Sequence, residues 1–303
     1  MKIITYNIDG LPESLNLNDL PWIFKPIAWI YKLIKGTTTI KINDNANKLA
    51  DTLKIGGLLH NSKADIIALQ EDFNYHYELT SILPEYTTGT YTGGFDLHKL
   101  FSNVDWISRF PLPRFKADGL NILSNPKTTK ISEEKIVKWD KSAGYFAHAN
   151  DALTHKGFRY YKTTINGVEI DVYIVHMDAD FYKQNPDISK DIKARKSQLK
   201  QLVDFILNNT KNNPAIILGD TNLDPIYSWD EETLQQYLLD PINASESLKI
   251  EEIKPKNRVD VDRIFIINNT KANHCLEGVD CYFDEDFKGL SDHYPLVAEI
   301  KIF

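Results

Sequence analysis

The chain alternates between short apolar runs and polar stretches in a way that predicts many strands and few helices. Runs rich in Ile, Val and Tyr fall at 2–8, 64–70, 119–124, 157–165, 168–177, 215–218, 261–267 and 295–302. Several are apolar without clean alternation, as expected of strands covered on both faces. Two stretches carry the other period. Residues 46–60 repeat apolar positions at helical spacing, and 188–207 set one apolar stripe against a charged face. Strands with flanking helices predict an α/β fold, two packed sheets with helices outside. Neither an internal repeat nor a linker rich in Pro, Gly or Ser interrupts the 303 residues, so one domain over 1–303, with insertions, is expected.

One stretch breaks the pattern. From Leu20 to Lys35 the chain reads LPWIFKPIAWIYKLIK, inside an insertion at about 12–43. Lys25, Lys32 and Lys35 would share one side of a helix, and such a helix could lie on a membrane surface with its aromatics in the interface. The general burial of aromatics predicts instead a segment packed on the body or over a cleft, and Pro26 breaks a helix through the whole stretch.

Composition narrows the class. With 42% hydrophobic and 25% charged residues, long disorder, collagen and coiled coil are excluded. The net charge of −7 speaks against a broad grip on nucleic acid, which needs clustered Lys and Arg, though a nuclease with a local basic rim fits. No apolar run reaches the length of a membrane span. The opening MKIITYNID lacks the apolar core of a signal peptide, so a cytoplasmic protein or a mature exported form is expected. Cys275 and Cys281 are either two ordinary thiols or a small-loop disulfide, and their spacing does not separate the two.

Candidate chemistry sits at the ends of the strand runs. TYNIDG closes the first run with Asn7, and IIALQED places Glu71 after four apolar residues. DVYIVHMDAD ends on His176 and Asp178, IILGDTNLD releases Asp220 and Asn222, and LSDHYPL sets Asp292 and His293 before the last run. Each motif alone is weak, since an acidic residue after a strand is usually an exposed terminus and Gly-Asp usually a turn. Together they put carboxylates, amides and imidazoles at strand ends, where one rim of a sandwich can gather them. The set is rich in oxygen and lacks thiolate, which suits Mg²⁺ or Mn²⁺ and not a structural zinc. A divalent ion held by carboxylates and open to water and phosphate is the usual arrangement for phosphoryl chemistry, with imidazoles moving protons near neutral pH. No GxSxG motif or Walker-type loop competes.

In the order TYNIDG, LQED, DGLNILS, VHMDAD, GDTNLD, VDRIF and SDHYPL, from Asn7 to His293, the sequence resembles the endonuclease/exonuclease/phosphatase superfamily. That superfamily includes type I deoxyribonucleases, abasic-site endonucleases and neutral sphingomyelinases. The resemblance implies a four-layered α/β sandwich of two packed mixed β-sheets flanked by helices, Mg²⁺ dependence (Mn²⁺ as the alternative) and hydrolysis of a phosphoester. It implies Glu71 as a metal ligand, with Asn7 and Asp292 at the metal site and Asn7 also orienting the phosphate. Asp220 and Asn222 would position the nucleophilic water, His176 would sit on the phosphate side, and Asp262 would orient His293. The stretches QEDFNYH and NDALTHKGFRYY are similar to bacterial sphingomyelinase-like phosphodiesterases, whereas PKNRVDVDRIF lacks the Trp and Cys of inositol-polyphosphate 5-phosphatases. Lys156 and Arg159 are then candidates to meet the substrate phosphate, against the plain alternative of solvated charges at a strand start.

The implied reaction is in-line attack of water on a metal-bound phosphodiester, with His293 or Asp220 taking the proton. A lipid or small-molecule phosphodiester is the expected substrate, given the acidic charge and the aromatic insertion, and a monomer the expected state. Deoxyribonuclease-like action on nucleic acid is the alternative, and a non-catalytic binding protein of the same fold is a third reading.

Overall fold

The computed structural model describes residues 1–10, 14–16, 29, 32, 39–41, 47–93, 104–107, 110–115, 117–143, 154–179 and 189–303. The aromatic stretch from Leu20 to Lys35 lies outside these residues except for Trp29 and Lys32, both exposed. The strands, in chain order, are Lys2–Asn7 (β1), Ser14–Asn16 (β2), Thr39–Lys41 (β3), Ile66–Gln70 (β4), Thr87–Thr88 (β5), Val104–Ile107 (β6), Phe110–Phe115 (β7) and Asn121–Ser124 (β8). They continue with Thr129–Lys138 (β9), Gly157–Ile165 (β10), Val168–His176 (β11), Ala215–Asp220 (β12), Leu248–Glu252 (β13), Asp262–Asn269 (β14), Leu276–Phe283 (β15) and Leu296–Ile302 (β16). Helices Lys48–Ser62 (α1), His76–Ser81 (α2), Ser189–Asn209 (α3) and Ser228–Leu234 (α4) flank them.

Two six-stranded sheets form, in the orders β15-β16-β1-β4-β8-β5 and β13-β14-β12-β11-β10-β9, with β2-β3 and β6-β7 as separate ribbons. Each large sheet has one parallel pair at its centre, β1 with β4 and β11 with β12, and antiparallel neighbours around it. Between the sheets, Ile3, Ile66, Ala68 and Ile122 share one core with Val172, Ile174, Ile216, Leu218 and Ile264. The opposite faces are covered by helices. Ile55 and Leu59 of α1 share a core with Ile4, Ile67 and Leu69, and Leu199, Leu202, Val203 and Ile206 of α3 share one with Tyr173, Val175, Ile217 and Phe265. Successive side chains of β12 thus enter different cores, Ile216 and Leu218 one and Ala215 and Ile217 the other, so its run shows no polar alternation. The result is the expected four-layered sandwich.

The parallel pairs decide where the chemistry lies. Register sets Asn7 opposite Gln70 and His176 opposite Asp220, so β1, β4, β11 and β12 all end on one rim. The antiparallel neighbours begin there: Asp262 opens β14 opposite Asp220, and Leu296 opens β16 opposite Thr5. Beyond the two-residue β5 and the ribbons β2-β3 and β6-β7, three strands of the large sheets escape the hydrophobic pattern, β9, β13 and β15. All are sheet edges reading TKISEEKIVK, LKIEE and LEGVDCYF, whose solvent-facing charges protect an edge and hide it from an apolar search. Cys275 is exposed and Cys281 is buried in the core between the sheets; both are free, so the disulfide reading falls. No described helix is long and apolar enough to cross a membrane.

Candidate active site

Glu71 follows the last residue of β4 and turns the chain at φ 57°, in the left-handed region. The backbone N–H groups of Gly10 (3.1 Å) and Phe73 (2.8 Å) both donate to its carbonyl and hold that turn. Position 10 requires glycine, because a Cβ would stand 2.2 Å from the same carbonyl oxygen. Gly219 plays the matching part before Asp220: its φ is 144°, and a Cβ would come within 2.1 Å of the Val175 carbonyl oxygen.

These turns bring the two sheets' polar ends together. The Asn7 amide donates to Glu71 Oε1 (3.2 Å) and to Asp220 Oδ2 (3.1 Å), linking one sheet to the other. His176 Nε2 lies 3.6 Å from Asp220 Oδ2 and 3.9 Å from Glu71 Oε1. His293 Nδ1 is 2.6 Å from Asp262 Oδ2, which leaves Nε2 facing Asp220 at 3.9 Å. Asp220 Oδ1 accepts from the Asn222 N–H (2.9 Å), while the Asn222 side-chain amide and Lys156 Nζ both donate to the Met177 carbonyl, at 3.0 and 3.2 Å. Asp292 is exposed at the edge of the cluster, where its charge still acts on Glu71 and His293.

Arg159 departs from its expected role. It is fully buried, its Nε and Nη2 donate to the two carboxylate oxygens of Asp118 (2.8 and 2.7 Å), and its Nη1 reaches Glu134 and the Thr90 carbonyl. A guanidinium so enclosed has no face for a substrate phosphate, and it ties β10 to the segment entering β8 instead. Four contributors went unnoticed in the sequence. Lys48 of α1, 2% exposed, pairs with Asp9 at 2.6 Å beside the Asn7 turn. The Ser291 hydroxyl donates to the Asn7 carbonyl (2.8 Å) and accepts from the His293 N–H (3.2 Å), and the Trp139 indole donates to the His176 carbonyl (2.8 Å). Asp9 and Ser291 lie inside the TYNIDG and LSDHYPL motifs, a signal that was there to read; Lys48 and Trp139 had none.

The electrostatics describe a pocket short of positive charge. Burial, reinforced by Asp9 and Asp292, pushes the Glu71 carboxyl up to about 7 against the opposing pull of Lys156 and the Asn7 amide. Burial lowers His176 well below the usual imidazole range, with Lys156 and His293 adding to the effect, so His176 is neutral. Burial works the same way on His293, but the carboxylates of Asp262, Asp220 and Asp292 overcome it and hold that imidazole protonated. Neither ring nitrogen of His176, nor Asp262 Oδ1, has a hydrogen-bond partner among the described residues.

This donor set fits a hard divalent cation: oxygen ligands dominate, thiolates are absent and the carboxylates crowd one another. One ligand atom each from Asp220, Asp262 and His293 lie within 4.8 Å of one another, a grouping that differs from the expected Glu71, Asn7 and Asp292. The Asn7 amide joins the two groups through Glu71 and Asp220.

Known proteins share this architecture. Sphingomyelinases of Mycobacterium bovis and Mycobacterium tuberculosis are 26% identical over 239 residues, covering 78% of this chain and 36% of their own length, so the chain spans about a third of these relatives. Among solved structures, TDP2 of D. rerio complexed with a single-strand DNA product superposes with a TM-score of 0.61 at 14% identity, covering 99% of this chain and 98% of that one. Beta toxin from Staphylococcus aureus, as a mutant with bound magnesium ions, gives 0.59 at 17% identity with 98% of each chain covered. Residues 4–293, which hold every strand end of the site, match the Endonuclease/Exonuclease/phosphatase family, and the chain belongs to that family.

Proposed function

We propose that the chain hydrolyses a phosphodiester by metal-assisted attack of water, and that the substrate is a lipid or small-molecule phosphodiester. The observation that carries this reading is the Asn7 amide spanning Glu71 of one sheet and Asp220 of the other, with His176 and the His293–Asp262 pair facing the same carboxylates. A divalent cation held by these carboxylates and Asn7, Mg²⁺ in the first instance, would neutralise charge on the phosphoryl and leaving oxygens. His293 is the base in its neutral form, which a bound cation would favour by offsetting the carboxylates that hold its proton; Asp262 fixes Nδ1 and leaves Nε2 to take the water proton. Asp220 is the poorer base, since the Asn222 N–H and the Asn7 amide already donate to its two oxygens. With its nitrogen committed to the Met177 carbonyl, Asn222 keeps its side-chain oxygen to align the water. Neutral His176 donates to a phosphoryl oxygen without adding charge, and Lys156 supplies the positive charge beside it. The mycobacterial relatives' name supports the lipid class.

The test is hydrolysis of sphingomyelin vesicles, phosphoinositides, plasmid DNA and bis-p-nitrophenyl phosphate, with Mg²⁺ or EDTA, beside a His293→Ala variant. Mg²⁺-dependent turnover of a lipid or small phosphodiester, absent in the variant, is expected. Preference for DNA would move the substrate to nucleic acid, and no turnover of any substrate would sink the reading.

A further inference from the structure

A pocket of about 240 Å³ opens beside the catalytic cluster, with Trp139, Thr154, Lys156 and Asp178 in its wall and Lys138 at its edge. Two of these residues also support the cluster. Trp139 donates to the His176 carbonyl, and Lys156 shares the Met177 carbonyl with Asn222. Asp178 is fully buried and Thr154 is 7% exposed. Asp178 Oδ2 accepts from the Ala143 N–H at 2.7 Å. Its Oδ1 and the Thr154 hydroxyl have no hydrogen-bond partner among the described residues. Buried polar atoms in a wall of this kind are costly unless a ligand group pairs with them, so they mark what the pocket is built to receive.

We propose that this pocket is the subsite for the alcohol half of the phosphodiester and that it takes a neutral, hydroxyl-bearing group such as a glycerol or polyol head group. The inference rests on the phosphodiesterase reading and names the substrate class for it. A hydroxyl donates to Asp178 Oδ1 and pairs with the Thr154 hydroxyl, which satisfies both atoms. A quaternary ammonium has no N–H or O–H and satisfies neither. A primary ammonium can donate to Asp178 Oδ1 but has no lone pair to accept the Thr154 hydroxyl proton, so it satisfies this wall less completely than a hydroxyl. Sites that hydrogen-bond a substrate hydroxyl reject analogues that lack it, so this wall discriminates between head groups.

The experiment measures binding of sn-glycerol 3-phosphate, phosphocholine, phosphoethanolamine and inorganic phosphate to the full chain by calorimetry. The glycerol compound should bind about tenfold more tightly than either amine, which is about 1.4 kcal/mol. Asp178→Asn and the milder Thr154→Val should each bring the three organic phosphates toward equal affinity while inorganic phosphate binds as before. Equal affinities in the wild-type chain, or a preference for either amine, would overturn the proposal. A preference for glycerol that both variants retain would overturn it too. Turnover of bis-p-nitrophenyl phosphate, which carries no hydroxyl, separately tests the phosphodiesterase reading.

Discussion

Burial governs what Glu71 does to the fold as well as to the chemistry. In the unfolded chain its proton leaves near 4.5, but in the metal-free fold it leaves near 7. The fold therefore holds an extra proton between those values, and stability falls as pH rises through that window, by ~3 kcal/mol from this group. Urea unfolding in EDTA at pH 5 and pH 8 should show the wild-type chain losing this much more than Glu71→Gln, and parallel losses would contradict it. The same variant should lose metal-dependent hydrolysis, because the charge that draws the ion is gone. Asp262→Asn removes the orienting carboxylate 2.6 Å from His293 and should lower kcat by more than about tenfold, or about 1.4 kcal/mol of barrier, with the fold unchanged. A smaller loss would mean that Asp262 does not set the imidazole. Most residues of the cluster were legible because a polar group closing or opening an apolar run is visible in one dimension. The burial of Arg159 was not, since a Lys or Arg at a strand start reads the same whether it meets solvent or an Asp from 41 positions away.

At the scale of elements, that arginine shows what joins the two sheets near the site. Arg159 on β10 binds Asp118, in the segment entering β8, and Glu134 on β9, while the Gly119 carbonyl next to Asp118 accepts the Asp72 N–H beside Glu71. Removing the guanidinium leaves the Asp118 carboxylate, 4% exposed, buried without its counterion. Arg159→Met should therefore destabilise by about 3–5 kcal/mol in chemical unfolding. Adding Asp118→Leu should recover much of that, since a buried pair replaced by apolar groups is often neutral. A double variant no more stable than the single would show that the network holds the fold by more than its charges. The central strands could be read from the sequence because both of their faces are covered and their runs stay apolar. The edges β9, β13 and β15 could not, because the charges that keep an edge from pairing with another chain also remove the apolar signal.

At the scale of the molecule, the net charge of −7 bears on the substrate. A protein that grips a polyanion releases counterions from each phosphate it neutralises, so its affinity falls steeply with salt. The positive groups named at the site are few: Lys156 faces the cluster, Lys138 stands at the neighbouring pocket, and Lys48 is committed to Asp9. A substrate recognised through one phosphate and one hydroxylated head group needs little more, whereas a duplex crossing the rim would need several cations along its path. For the proposed substrate class, kcat/KM should change by no more than about fourfold between 50 and 200 mM NaCl, because about one phosphate is engaged. A nucleic-acid substrate engaging six or more phosphates would lose about a thousandfold in affinity over the same range. Measuring kcat/KM for a soluble phosphodiester and for DNA across that range, with Mg²⁺ held constant, separates the two. A steep salt dependence on the preferred substrate would show that residues beyond those named here contact a polyanion, and the nuclease reading would replace the lipid one.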